Sequence, residues 1–471
     1  MNSTLAATSA GFGLGLASQN HEIAVDRLPL SGRLPDWLTG TLLRNGPARF
    51  EVGAERYRHW FDGLAMIHRF GIADGAVSYR NRFLRTPAFL EAERSGRIAS
   101  SEFGTNPQRS FFERLRTLGQ SSNGHNANVN IVPFAGDYLA LTETPEPVRF
   151  DGTTLETKGA LAYDDQVRGQ VTTAHTVYDP VRRATFNIVI EMGRNATYKF
   201  VRIDDGTLRR TVVATVTTDQ PCYLHAFSAT AEHLILVEYP LIVRPLDLLL
   251  MRKPFIENYR WEPGRGTRIH VVRKDGGALV GTFSAEAMFA FHHINAYDEA
   301  DAIVVDIAAY DDATIVDDLS LDHLLQPDGP HISRGEFRRY RLTPGRETAD
   351  VEILAVETTE LPRVARERIG QPYRYAYGID WPAGAFDHIV KVDTHTRDVI
   401  SWTAPNTYVG EPVFVGRPGA QDEDDGVLLC VGLEAAADRS ALLVLDARTL
   451  TELARAEVPQ TIPYGFHGMF H

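Results

Sequence analysis

Four of the sixteen histidines stand in closely similar surroundings: His175 in TTAHTVYDP, His225 in CYLHAFSAT, His292 in FAFHHINAY and His467 in PYGFHGMF. Each lies among apolar or aromatic residues, beside a strand-like run. An imidazole inside an apolar wall needs a partner on both nitrogens, either a backbone carbonyl or a metal ion. Taken singly, each reads most simply as a packed core histidine. Their separations of 50, 67 and 175 residues place them in different structural units. A fold that carries distant strands to one axis would let them converge on one ion. An all-imidazole set suits iron, copper or zinc and not magnesium or calcium. Cys222 and Cys430 form no CxxC pair, which excludes a disulfide framework and a cysteine-based zinc or iron–sulfur site and points to a reducing compartment.

The elements that would position such histidines are hairpins. Seven times an alternating apolar stretch runs through a tight polar turn into a second alternating stretch. The seven begin at His68, Pro147, Phe200, His270, Tyr340, Ile389 and Leu442. Asp and Gly at the turns supply the left-handed backbone that tight hairpins need. Starts about 50 to 80 residues apart leave room for four short strands per unit, the pattern of an all-β, seven-bladed β-propeller. An antiparallel sandwich or two stacked barrels is the competing arrangement. A propeller brings the inner strand of every blade to one axis, where the four histidines could meet.

Helical patterns are scarce, the best being SFFERLRTLG (110–119) and PLDLLLMRKPF (245–255). The small, polar first twenty residues read as a flexible tail and not a signal peptide, leaving 21–471 as a single domain. No run of eighteen apolar residues predicts a membrane span. The net charge of −13, from 48 basic and 61 acidic residues, argues against nucleic acid as a partner.

At longer motifs the chain resembles the carotenoid cleavage oxygenases, the family that includes polyene dioxygenases and the retinal pigment epithelium isomerase. GTLLRNGPARFEVGAERYRHWFDGLAMIHRF (40–70) is similar to that family's opening motif. FHHINAY and PYGFHGMF resemble its third and fourth histidine motifs. The likeness runs from Leu34 to the final residues. It implies a seven-bladed propeller with a dome of loops and short helices over an axial Fe(II). The implied ligands are His175, His225, His292 and His467, with His293 a bystander. It also implies that Glu143 in LTETP, Glu360 in TTELPR and Glu411 in YVGEPVFV orient His225, His292 and His467, leaving His175 without a carboxylate. Such carboxylates fix the tautomer and ring angle of a ligating histidine.

The implied activity is Fe(II)-dependent dioxygenase cleavage of a C=C bond in a carotenoid or apocarotenoid, with O2 as co-substrate and two carbonyl products. No side chain need act as nucleophile or base, and no obligate protein partner is evident. The stilbene-cleaving branch resembles this chain but has a lysine at Thr142 and a tyrosine at Phe83, which together activate a phenol. Val129 falls where many microbial members carry a threonine, and valine there is more like the animal-type branch. The competing activities are a stilbenoid-cleaving dioxygenase, a redox-neutral retinoid isomerohydrolase and a non-catalytic carotenoid-binding propeller. An apolar polyene substrate dissolves in membrane, so a cytoplasmic enzyme would touch the bilayer peripherally. The stretch from Pro240 through Phe255, with Arg244, Arg252 and Lys253, is the expected patch, joined by Phe111 and Phe112. The same stretch also fits a core-facing helix with a cationic rim.

Overall fold

An isolated hairpin with one apolar face is marginal in water and gains stability only by stacking on a neighbour. Seven such hairpins in one chain can bury their faces by closing into a ring. The computed structural model describes residues 11–107, 125–250 and 253–471 and shows that ring. Seven sheets of four to six strands radiate from an axis, a seven-bladed β-propeller with few helices. Each hairpin read from the sequence forms two adjacent strands in the outer part of one blade, such as Leu64–Ala73 with Ala76–Phe83 in blade 1. There Asp74 and Gly75 both have positive φ, 49° and 67°, the backbone of a two-residue hairpin turn. Blades 2, 6 and 7 turn differently. Asp151, Asp393 and Asp446 each accept two backbone N–H groups from the turn, which ends on left-handed Leu155, Arg397 or Leu450.

The inner strands are short. Blades 2, 4, 5 and 6 begin at the axis with Asn130–Phe134, Ser228–Ala229, His293–Asp298 and Glu360–Val364. Blade 3 has Val171–Thr172 and Val177–Asp179 there, and blade 7 has Thr407–Val409 and Val413–Gly416. Both ends of the chain close the ring. Leu30–Gly32 pairs with the outer strand of blade 7, and Gly468–Phe470 is the inner strand of blade 1, Leu42 opposite Phe470. Apolar faces fill the space between neighbours, as Leu42 and Phe70 of blade 1 do against Leu442 and Val444 of blade 7.

Two expectations need correction. The first twenty residues are not wholly a loose tail, because Phe12 and Leu16 are fully buried and Gln19 N–H donates to Ala48 O at 2.7 Å. Apolar residues at this spacing found a cleft between the dome and blade 7, while residues 1–10 lie outside the described ones. The short helix Pro245–Leu249 has no fully buried residue and meets the core only through the partly buried Leu248, so most of it is not core-facing. Residues 110–119, with Phe111 and Phe112, and Arg252 lie outside the described residues.

Candidate metal centre

Each blade delivers one polar side chain to the axis. His467 precedes the inner strand of blade 1, Glu143 follows the strand Asp137–Leu141 of blade 2, and His175 lies between the inner segments of blade 3. His225 and His292 precede the inner strands of blades 4 and 5, Glu360 opens that of blade 6, and Glu411 divides that of blade 7. The four histidines converge so that their candidate ligand nitrogens lie within 4.8 Å of one another. Successive residues on a strand face opposite ways. His293 accordingly turns aside, to Ser228 Oγ at 2.5 Å and Tyr239 Oη at 2.8 Å.

The outward nitrogens are anchored. His225 Nδ1 lies 2.7 Å from Glu143 Oε1, His467 Nδ1 lies 2.7 Å from Glu411 Oε1, and His292 Nδ1 contacts Glu360. No carboxylate stands beside His175 among the described residues. Burial drives His467 down to about 3 and holds His175 and His292 well below the usual imidazole range, so these rings are neutral. A neutral ring that donates from Nδ1 presents a bare lone pair at Nε2. Yet His292 Nε2 and His467 Nε2, both anchored in this way, face each other at 3.0 Å, and the unanchored His175 places its Nε2 3.0 Å from His225 Nε2. Opposed lone pairs repel, and a shared cation resolves the conflict. Ligands at right angles on an ion about 2.1 Å away would have this spacing. The donor set therefore fits a transition metal.

Behind the carboxylates stand residues that sequence reading missed. Tyr223 Oη donates to Glu143 Oε1 at 2.7 Å, and Tyr310 Oη donates to Glu360 Oε1 at 3.0 Å. Burial pushes the Glu360 carboxyl up to about 7, against the hydrogen bond from Tyr310. Glu411 differs. Burial alone would raise its carboxyl, but Arg363 and Arg44 outweigh that and hold it well below the usual range. Arg363 Nε donates to it at 2.8 Å, Gly468 N at 2.9 Å, and Arg44 Nη1 contacts its second oxygen. Glu360 and Arg363 share a strand yet serve different histidines. A bulge between them, with Leu361 at φ 46°, aims each at its own partner. The only sequence signals were short spacings: Tyr223 two residues before His225, and Arg363 three after Glu360.

A cavity with about 520 Å³ of empty space opens on the cluster at His225, His292 and His467. Blades supply Val129, Phe291, Leu361 and Ile379, and the dome supplies Trp60, Phe61, Ile315 and Leu319. Val129 thus lies in the wall of this cavity. Thr142 is half-buried beside Glu143 and is not part of the lining. Phe83 is a correction: it packs on Phe89 at 5.1 Å in a separate cluster of blade 1. It ends an outer strand, remote from the axis, and its inward side chain meets the next layer of the blade.

Comparisons with known proteins follow the same outline. The family model described as retinal pigment epithelial membrane protein matches residues 16–471. A mitochondrial carotenoid-cleaving dioxygenase of Macaca fascicularis is 32% identical, over 93% of this chain and 90% of its own. A carotenoid isomerooxygenase of Galleria mellonella is 34% identical, over 94% and 92%. A cobalt-substituted apocarotenoid oxygenase of Synechocystis superposes with a TM-score of 0.87 at 28% identity, covering 98% of both chains.

Proposed function

Because the chain belongs to the retinal pigment epithelial membrane protein family of carotenoid oxygenases, we propose that it is an iron(II)-dependent dioxygenase cleaving one C=C bond of a carotenoid or apocarotenoid into two carbonyl products. The observation that carries this reading is the apolar cavity abutting three of the four clustered histidines. We assign His175, His225, His292 and His467 as the ligands, and Glu143, Glu360 and Glu411 as the residues that orient three of them. Iron(II) bound there would supply the electrons that activate O2.

The chain's own residues do the rest. The carboxylates hold each Nδ1 proton away from the metal side, keeping Nε2 free to ligate. Phe61, Phe291 and Val129 press an apolar chain against the cluster, and the surrounding rings exclude water. Among the described residues no lysine or arginine lines the cavity, and the tyrosine in the lining, Tyr310, is already bonded to Glu360. Among the described residues phenol activation therefore has no uncommitted base or cation to rely on, since Glu360 is bonded to His292 and Tyr310. Carotenoids or apocarotenoids should be cleaved with kcat/KM at least about tenfold above resveratrol, a difference of ~1.4 kcal/mol. Phe83→Tyr should leave that ratio unchanged, since the residue lies outside the cavity. Incubation of the iron-loaded protein with a carotenoid panel under 18O2 is the test. Label in both carbonyl products supports dioxygenase cleavage, and an unlabelled isomerised alcohol would show the redox-neutral isomerohydrolase instead.

A membrane-dissolved substrate calls for contact with the bilayer. Among the described residues no helix is long and apolar enough to cross a membrane. On the helix Pro245–Leu249, Leu246 is 71% and Leu249 65% exposed, with exposed Arg244 and Lys253 nearby. Behind it Phe255 packs on Phe103 at 6.3 Å, and Phe103 on the cavity-lining Phe61 at 5.1 Å. This apolar path joins patch to cavity and makes the patch the proposed docking face. Leu246→Ser with Leu249→Ser should weaken sedimentation with phosphatidylcholine–phosphatidylserine vesicles by about tenfold or more, since each leucine buries ~1 kcal/mol or more of apolar surface. Unchanged sedimentation would place the docking face elsewhere. Activity on detergent-solubilised substrate should stay at the parent level.

A further inference from the structure

A second, narrower space lies in the seam between blades 7 and 1, bordered by Arg44, Asn45, His68, Tyr408 and Tyr464. It is partly polar, and the buried Asn45 Oδ1 has no hydrogen-bond partner. Between it and the substrate cavity stands a short stack of aromatic rings. Trp60, Trp381 and Phe386 face the cavity, and Phe386 lies 5.3 Å from each tryptophan. Behind Phe386, at 5.4 Å, is the ring of Phe12, which also meets Tyr408 at 5.4 Å and Tyr464 at 5.0 Å. Phe12 thus touches a wall of each space at once.

Its seat is built, not incidental. Phe12 is fully buried, Tyr464 N–H donates to Gly15 O at 2.8 Å, and Tyr464 Oη donates to Phe12 O at 3.0 Å. A Cβ on Gly15 would come within 2.3 Å of the Tyr464 ring, so only glycine lets the segment lie this close. We propose that Phe12 is a specificity-determining residue whose ring, with Phe386, partitions the substrate cavity from the seam space and thereby limits the length of apolar chain accepted. This rests on the polyene reading above. The ring touches neither metal ligands nor their carboxylates, so its removal should alter substrate length preference and leave metal binding alone.

The test uses the full chain carrying Phe12→Ala and, as a milder change that keeps the core filled, Phe12→Leu. The ratio of kcat/KM for a long over a short apocarotenoid should rise about tenfold in Phe12→Ala, a gap of ~1.4 kcal/mol, and by less in Phe12→Leu. Iron content should match the parent. A ratio within about twofold of the parent's in both variants overturns the proposal, and should the alanine variant fail to fold, the leucine variant decides. Binding of linear primary alcohols of increasing length, followed by tryptophan fluorescence, tests the partition without turnover. The length at which affinity stops rising should increase in the variants, and an unchanged limit overturns the proposal. Absence of polyene cleavage by the parent would instead sink the functional reading and leave the alcohol measurement standing.

Discussion

Alanine in place of His292 or His467 is expected to give a folded propeller that retains less than about a tenth of the parent's iron and forms no product. The two Nε2 atoms face each other at 3.0 Å, and each ring is fixed from behind by a carboxylate. Removing one ring takes away one of four clustered imidazoles, and among the described residues no fifth histidine, cysteine or carboxylate belongs to the cluster. The fold should survive, since each histidine sits at the mouth of an inner strand and the apolar packing between blades is untouched. Metal analysis by inductively coupled plasma spectrometry, with circular dichroism as the control for folding, makes the measurement. Chelation of the parent should abolish activity, and Fe(II) should restore it where Zn(II) does not, because zinc cannot donate electrons to O2. Full activity in a stoichiometric zinc form would defeat the dioxygenase reading.

The hairpins were legible because period-two alternation and Asp-Gly turns are local signals, written within about fifteen residues. The inner strands were not. Ser228–Ala229 and Val171–Thr172 are two residues long, too short for any periodicity, and only the closed ring reveals that they line the axis. The histidines could be singled out by their apolar context, but their convergence depends on blade geometry. The pairings lie further still from local rules. Glu143 and His225 are 82 residues apart, Glu360 and His292 are 68, and Glu411 and His467 are 56. A glutamate beside a strand ordinarily reads as a surface acid, so only the family resemblance pointed to these three.

Two misreadings have physical causes. A glycine-rich, charge-poor opening reads as loose tail, yet the same small residues let it lie flat against Tyr464 and lodge Phe12 in the core. Phe83 carries the burial alternation of its strand, buried at every second residue, and that marks packing within a blade without saying how far the strand stands from the axis. Arg44 and Arg363 escaped notice because an arginine beside a strand is ordinarily solvated, and nothing local shows that both close on one buried carboxylate.

That carboxylate yields the second large expectation. Glu411 is fully buried, Arg44 nearly so, and Arg363 only partly. Glu411→Gln removes the counter-charge while Arg44 stays inside, and an uncompensated buried cation costs about 3–5 kcal/mol. Arg363 contributes less to that cost, because its 29% exposed side chain can turn toward water. Replacing both members of the buried pair, as Arg44→Met with Glu411→Leu, removes the stranded charge and should recover most of the lost stability, since apolar replacement of a buried ion pair is often neutral. Metal retention should not recover with it. His467 Nδ1 loses its charged acceptor in Glu411→Gln and any acceptor in the double variant, so iron affinity should fall by roughly 10- to 100-fold in each. Urea unfolding of the chelated proteins reads the first effect free of metal linkage, and competition with a chelator of known affinity reads the second. A double variant as unstable as Glu411→Gln would show that the arginine was not the cause. Parent-like iron affinity in either would show that His467 keeps its orientation without Glu411, and that the axial carboxylates serve the fold alone.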